Sequence, residues 1–135
     1  MTFIRRALII DDDEVNNFIC IKNLRDLKIA KEASYCTRGR EGLDLMAEIL
    51  KNEPDNFPDV VFLDINMPAM NAWEFLEEYK TLQPLFPHKV SLFILSSSVY
   101  RKDIERSSQY EAVTDYIIKP LNKDKLLKIQ EKYFS

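Results

Sequence analysis

Glycine is nearly missing from this chain: its 135 residues include only Gly39 and Gly42. Loops that cradle phosphates with backbone N–H groups need several glycines at set spacing, so dinucleotide-binding and P-loop enzymes are excluded. Cysteine is equally scarce. Cys20 and Cys36 fit neither a zinc-ligand spacing nor a disulfide framework, and they read as reduced thiols of a cytoplasmic protein. The single histidine, His88, lies in a proline-flanked loop and reads as a surface residue rather than a general base. No apolar run approaches the roughly 20 residues that span a bilayer, and the stretch before Asp11 leaves no room for a secretory signal. An excess of positive charge is absent too. Nineteen Lys and Arg against 22 Asp and Glu give a net charge of −3, with no basic stripe. Neither nucleic acid nor membrane is therefore expected as a partner.

What is present is an ordinary globular balance, 46% hydrophobic and 30% charged, in one domain's length of chain. Short apolar runs recur at a steady interval: Ala7–Ile10, Val60–Leu63, Leu92–Leu95 and Tyr116–Ile118. Each is continuously apolar, the pattern of strands buried on both faces of a parallel sheet. Ala30–Cys36 is weaker and reads as a half-exposed edge strand. Helical periodicity fills the gaps, with Leu43, Met46, Ala47 and Leu50 on one stripe and Ala72, Phe75, Leu76 and Tyr79 on another. Leu126, Ile129 and Tyr133 mark a closing helix. The apolar residues of Glu14–Leu27 spread around the helix circumference, which predicts heavy burial. Arg101–Gln109 is mostly polar and gives the weakest helical signal. Pro54 and Pro58 precede the third strand, and Pro84 and Pro87 the fourth. The expected architecture is α/β, a doubly wound parallel sheet with helices on both faces. No repeat, linker or low-complexity tract interrupts residues 1–135, which are expected to form one unit without a separate output domain.

The informative residues are those that follow each apolar run: Asp11, Asp12 and Asp13 after the first, Asp64 after the next, then Ser96, then Lys119. In an open parallel sheet the carboxyl ends of the strands share one edge, where ligands bind. Singly, each residue has a plain structural explanation. Asp13 suits a helix cap, one of Ser96–Ser98 could be another, Asp64 could serve a turn before Pro68, and Lys119 could be a solvated lysine. Jointly they place carboxylates, a hydroxyl and an ammonium in one crevice. Crowded carboxylates repel unless a cation joins them. Mg2+ suits the set, because it takes oxygen ligands and needs only one or two carboxylates; Mn2+ is possible. A carboxylate can also attack phosphorus, giving an aspartyl phosphate. Such a transfer depends on positioning and on neutralising charge at the phosphoryl oxygens.

The blocks LIIDDDEVNNF, VVFLDINMPAMNAWEFL, LFILSSS and DYIIKPL resemble the four signature blocks of the response-regulator receiver domain of two-component signalling. The resemblance runs from the first strand to the last helix. It implies a five-stranded flavodoxin-like sheet of order 2-1-3-4-5. It also implies that Asp64 is the phosphoacceptor, that Asp11 and Asp12 bind the metal with Asp12 the more direct ligand, and that Asn66 offers its backbone carbonyl. Ser96 would follow the phosphoryl group, Lys119 would pair with it, and Tyr116 would reorient with Ser96. Asn66 and Ser98 stand where family members tune the lifetime of the phosphorylated state, and Pro120 stands where a cis peptide is common. Two departures are Ala72, where glycine is common and whose loss makes the loop after the third strand less permissive, and Ser97, where alanine is usual.

The function expected from the resemblance is a phosphorylation-dependent switch. It is charged by a sensor histidine kinase or a histidine-phosphotransfer protein, and it acts through contacts with an unidentified downstream protein. One alternative is a small phosphatase with an aspartyl nucleophile. Such enzymes carry a second Asp two residues on, where this chain has Asn66. The other is a receiver-like interaction module that no longer takes phosphate, whose signature would be the loss of an acidic ligand or the lysine.

Overall fold

A computed structural model describes residues 4–134. The chain alternates β1 (Ile4–Ile10), α1 (Glu14–Asp26), β2 (Ala30–Cys36), α2 (Gly39–Asn52), β3 (Val60–Asp64), α3 (Ala72–Leu82), β4 (Ser91–Ser96), α4 (Arg101–Ser108), β5 (Val113–Ile118) and α5 (Lys123–Tyr133). Short 3-10 turns at Pro54–Asn56 and Gln83–Leu85 follow α2 and α3, each with its proline in the first two positions, where the missing N–H is harmless.

All neighbouring strands are parallel, in the order β2-β1-β3-β4-β5 implied by the resemblance. The central strands carry the continuous apolar runs because helices cover both of their faces. Every residue of β3 and β4 is buried. On one face α1 and α5 close over Cys20, Leu24, Phe62, Phe93, Leu126 and Ile129. On the other, α2 and α3 close over Leu43, Met46, Leu63, Phe75, Leu76 and Tyr79. Register then positions the site. Ile10 pairs with Leu63, Asp64 with Leu95, and Ser96 with Ile118. Residues that follow these pairs emerge together at the carboxyl edge.

Four expectations need correction. Helix α1 buries only Asn17, Cys20 and Leu24, whereas Val15 and Phe18 are about two-thirds exposed and Ile19 is also exposed. A helix resting on a sheet hides one side, and apolar residues spread around it cannot all face inward. Ala47 likewise lies on the outer side of α2, whose buried line is Gly39, Gly42, Leu43 and Met46. Strand β5 is half-buried along its whole length because it is an edge strand, despite its apolar run. None of Ser96–Ser98 caps α4: the N-cap is Tyr100, with no side-chain cap, since the helix starts too far downstream. Asp13, by contrast, is the cap expected, accepting from the N–H groups of Val15 and Asn16. The edge strand β2 and the stripe Ala72, Phe75, Leu76 and Tyr79 are also as expected.

Helix α2 sits close to the sheet because it presents Gly42. A Cβ there would stand 2.6 Å from Ile10 Cδ1 and 3.1 Å from its Cγ1. Ile10 is fully buried and has little room to yield. Gly42→Ala is therefore expected to lower stability by about 1–2 kcal/mol through overpacking, although alanine is the better helix former. Adding Ile10→Val, which removes Cδ1, should recover part of that loss. Urea unfolding of both variants checks this, and a Gly42→Ala variant more stable than wild type would contradict it.

Candidate functional site at the carboxyl edge

Asp11 leaves the end of β1 and is fully buried. Its backbone is fixed first: its N–H donates to the Cys36 carbonyl, and its own carbonyl accepts from Asn17 Nδ2 at 2.8 Å. Its carboxylate accepts from the Asp13 N–H at 2.9 Å, from Asn16 Nδ2 at 2.8 Å and from Lys119 Nζ at 2.7 Å. Both asparagines lie on the first turns of α1, so the adjacent Asn16 and Asn17 reach back to the residue that precedes the helix. Sequence reading passed over this pair. The available signal was two consecutive amides in a helix that had to pack on a sheet, where a buried amide must find partners.

Asp64 ends β3, with its side chain 10% exposed. Its Oδ1 lies 3.6 Å from Lys119 Nζ. Lys119 follows β5, and its N–H donates to the Ser96 carbonyl at 2.8 Å, which ties the last two strand ends together. Lys119 precedes Pro120 through a cis peptide bond. Asp12 is exposed, yet carboxylate oxygens of Asp11, Asp12 and Asp64 all lie within 4.8 Å of one another. Three separate stretches of chain thus bring three carboxylates and one ammonium together.

The electrostatics follow from that count. Burial, reinforced by Asp11 and more weakly by Asp12, pushes the Asp64 carboxyl up to about 6, and Lys119 offsets only part of the effect. Burial opposes the charge of Lys119, but its bonds to Asp11 and the field of Asp64 more than compensate, so its pKa lies above the ordinary lysine value. It remains an ammonium. Three carboxylates facing one ammonium are an all-oxygen donor set of excess negative charge, which suits a hard divalent cation. Burial pushes both thiols, Cys20 and Cys36, up to about 12, so neither is a reactive nucleophile.

Ser96 is buried, and its Oγ accepts from the Ser98 N–H at 3.0 Å. Tyr116 is half-buried on β5, and its hydroxyl donates to the Ser98 carbonyl at 2.9 Å. Asn66 is exposed between buried Ile65 and Met67, which pin the loop after β3. That loop takes its left-handed turn at Ala69, with φ 69°, so the turn needing conformational freedom lies before Ala72. Ala72 itself is fully buried in the first turn of α3, behind an Asn71–Glu74 capping box. Ser97 is exposed. His88 lies exposed just ahead of β4, with Nε2 3.5 Å from Asp59.

The model of the response regulator receiver domain matches residues 7–131. The chain belongs to this family. Among its relatives is the two-component response regulator ARR14 of Arabidopsis thaliana, 29% identical over 124 residues, or 92% of this chain and 29% of that protein. Another is the sensor histidine kinase CheAY of Helicobacter pylori, 31% identical over 93% of this chain and 14% of that protein. The chain therefore spans less than a third of the length of either. A solved two-component response regulator from Cytophaga hutchinsonii superposes with a TM-score of 0.86 at 29% identity, covering 96% of both chains. The acidic cluster of Asp11, Asp12 and Asp64 fits the metal site of a receiver domain. Receiver domains are phosphoacceptor signalling modules that work with histidine kinases and phosphotransfer partners. Among the described residues, no helix is long and apolar enough to cross a membrane.

The raised Asp64 pKa predicts how metal-free stability varies with pH. Between its ordinary 3.8 and about 6, the folded receiver domain holds a proton that the unfolded chain releases. Stability therefore falls as pH rises through that window and stays lowered above it. Asp64→Asn should remove this dependence and raise stability at pH 7 by about 2 kcal/mol, with little gain below pH ~4. Urea titrations in chelator at several pH values test this, and a variant no more stable at pH 7 would contradict it.

Proposed function

We propose that this receiver domain is a phosphorylation-dependent switch in which Asp64 accepts a phosphoryl group from a partner's phosphohistidine. Asp11, Asp12, Asp64 and the backbone carbonyl of Asn66 would hold the metal, Mg2+ or Mn2+ in its place. When bound, the cation supplies positive charge to the phosphoryl oxygens. The observation that carries this reading is the position of Lys119, with Nζ 2.7 Å from Asp11 and 3.6 Å from Asp64 at the same strand edge.

The chain's own residues then have distinct tasks. A carboxylate oxygen of Asp64 attacks phosphorus while the P–N bond of the donor breaks, its electron pair going to the imidazole nitrogen. Lys119, held charged by two carboxylates, stabilises the phosphoryl oxygens. Asp11, anchored by Asn16 and Asn17, keeps Lys119 aimed across the cleft. Ser96 supplies a hydroxyl donor once its Oγ leaves the Ser98 N–H, and Tyr116 reorients with it. The new charge thereby shifts an equilibrium in the β4–α4–β5 region, and an unidentified protein reads the altered surface. Hydrolysis by water resets the switch, with Asn66 and Ser98 tuning its rate. Asn66, two residues after Asp64, cannot act as the acid or base that a phosphatase of this type needs, which favours the switch. A cytoplasmic setting agrees with the two free thiols.

Acetyl phosphate with Mg2+ should transfer one phosphoryl group to the protein, seen by intact mass, and none to Asp64→Asn. Chelator should abolish the reaction. Asp12→Ala should raise the Mg2+ concentration for half-maximal labelling roughly tenfold or more, as when a direct ligand is lost. Labelling that survives Asp64→Asn would defeat the proposal.

A further inference from the structure

Ser98 has all of its polar groups engaged, and with partners from three elements. Its N–H donates to Ser96 Oγ at 3.0 Å, and its carbonyl accepts from the Tyr116 hydroxyl at 2.9 Å. Its own hydroxyl donates to Asp103 Oδ2 at 3.0 Å and accepts from the Tyr100 N–H at 3.1 Å. One residue therefore joins the end of β4, the start of α4 and the face of β5.

Helix α4 has few other anchors at this end. Its only buried residue is Ser107, with Val99 and Tyr100 exposed just before the helix and Ile104 exposed in its first turn. At its far end the helix rests on Trp73 of α3, over which Arg106 stacks at 4.8 Å, with Tyr110 parallel at 5.7 Å. An element with so little buried apolar area depends on its polar contacts for position.

We propose that Ser98 and Asp103 are positioning residues that hold α4 in the resting state and set how much ligand at Asp64 is needed to release it. The inference rests on the phosphoacceptor reading of Asp64. Ser96 Oγ accepts from the Ser98 N–H, so any turn of Ser96 that carries Oγ toward a group on Asp64 breaks that bond. When it turns, the Ser98 N–H loses its acceptor and the loop must rearrange. The Ser98–Asp103 bond is made by that same loop and resists the change. Removing the bond from the Asp103 side leaves the carboxylates, Ser96, Ser98 and Lys119 in place but takes away part of the resistance.

Trp73 is the only tryptophan in the chain, so its fluorescence reports on the α3–α4 contact. The test is a titration with beryllofluoride at saturating Mg2+, read by Trp73 fluorescence, with adduct formation followed in parallel by fluorine NMR. Wild type should show a saturable change. Asp103→Ala should lower the midpoint ~5-fold, the size expected for losing one ordinary, partly solvated hydrogen bond. Ser98→Ala, which also takes the acceptor from the Tyr100 N–H, should lower the midpoint at least as far, and the double variant should add little to it, because the bond lost in Asp103→Ala is already absent. Asp103→Asn, whose amide oxygen still accepts from Ser98, should stay closer to wild type. An adduct that forms on wild type but has the same midpoint in Asp103→Ala overturns the positioning role alone, as does an Asn variant that behaves like Ala or an adduct without a fluorescence change. No adduct on wild type overturns the phosphoacceptor reading, and the positioning role with it.

Discussion

The placement of Lys119 between two buried carboxylates is the constraint on which the carboxyl edge depends. Asp11 is wholly buried and Asp64 nearly so, and two such charges a few ångströms apart are unfavourable without a cation. Lys119 meets Asp11 directly, at 2.7 Å, and Asp64 from farther off, at 3.6 Å. That asymmetry leaves Asp64 as the carboxylate with unmet demand for positive charge. It also explains why the surrounding structure invests so much in Asp11. Asn16, Asn17, the Asp13 N–H and the Cys36 carbonyl all fix this one residue, which in turn fixes the lysine. Asp64 can stay comparatively unencumbered because its neighbour is not.

The same edge has a rigid side and a yielding side. Strands β1 and β3 and helix α1 hold the carboxylates, backed by fully buried residues such as Ile10, Leu63 and Leu24. Beyond β4 the packing thins: β5 is half-buried throughout, and α4 buries a single serine. Individual hydrogen bonds of the Ser98 kind contribute on the order of 1 kcal/mol each, whereas fully burying a Leu or Phe contributes about 1.5–3 kcal/mol. A charge added at Asp64 therefore meets two very different resistances. It cannot displace the apolar core under the carboxylates, but it competes evenly with the polar contacts of the β4–α4 loop. Division of labour between these two sides is what a switch of the proposed kind requires.

Much of this was legible in the sequence because it is written in runs and endings. Four apolar runs gave the sheet, and the residue after each run marked the edge; parallel register did the rest. What escaped was information carried by which side of an element faces inward. Val15, Phe18 and Ile19 look like core residues until α1 is laid on its sheet, when only the side of Asn17, Cys20 and Leu24 can turn in. The asparagines on α1 look like surface residues until Asp11 is seen beneath them. The apolar run of β5 reads as a strand buried on both faces, whereas at the edge of the sheet it is only half-buried. The serines after β4 read as a cap because serine so often is one; the helix begins at Arg101, and Ser98 instead bonds sideways to Asp103.

That sideways bond bears on how a family with one common site can differ in response from member to member. In the proposed mechanism the carboxylates, lysine and hydroxyl act on the phosphoryl group directly, so changes among them would alter whether the chemistry happens at all. Ser98 and Asp103 touch none of the reacting atoms. Their influence enters only through the free-energy gap between two arrangements of one loop, where roughly 1.4 kcal/mol is a factor of ten in population. A single hydrogen bond is therefore large enough to reset sensitivity and too small to endanger the fold. Sensitivity in this chain can thus vary at the start of α4 while Asp64 and its neighbours stay as they are.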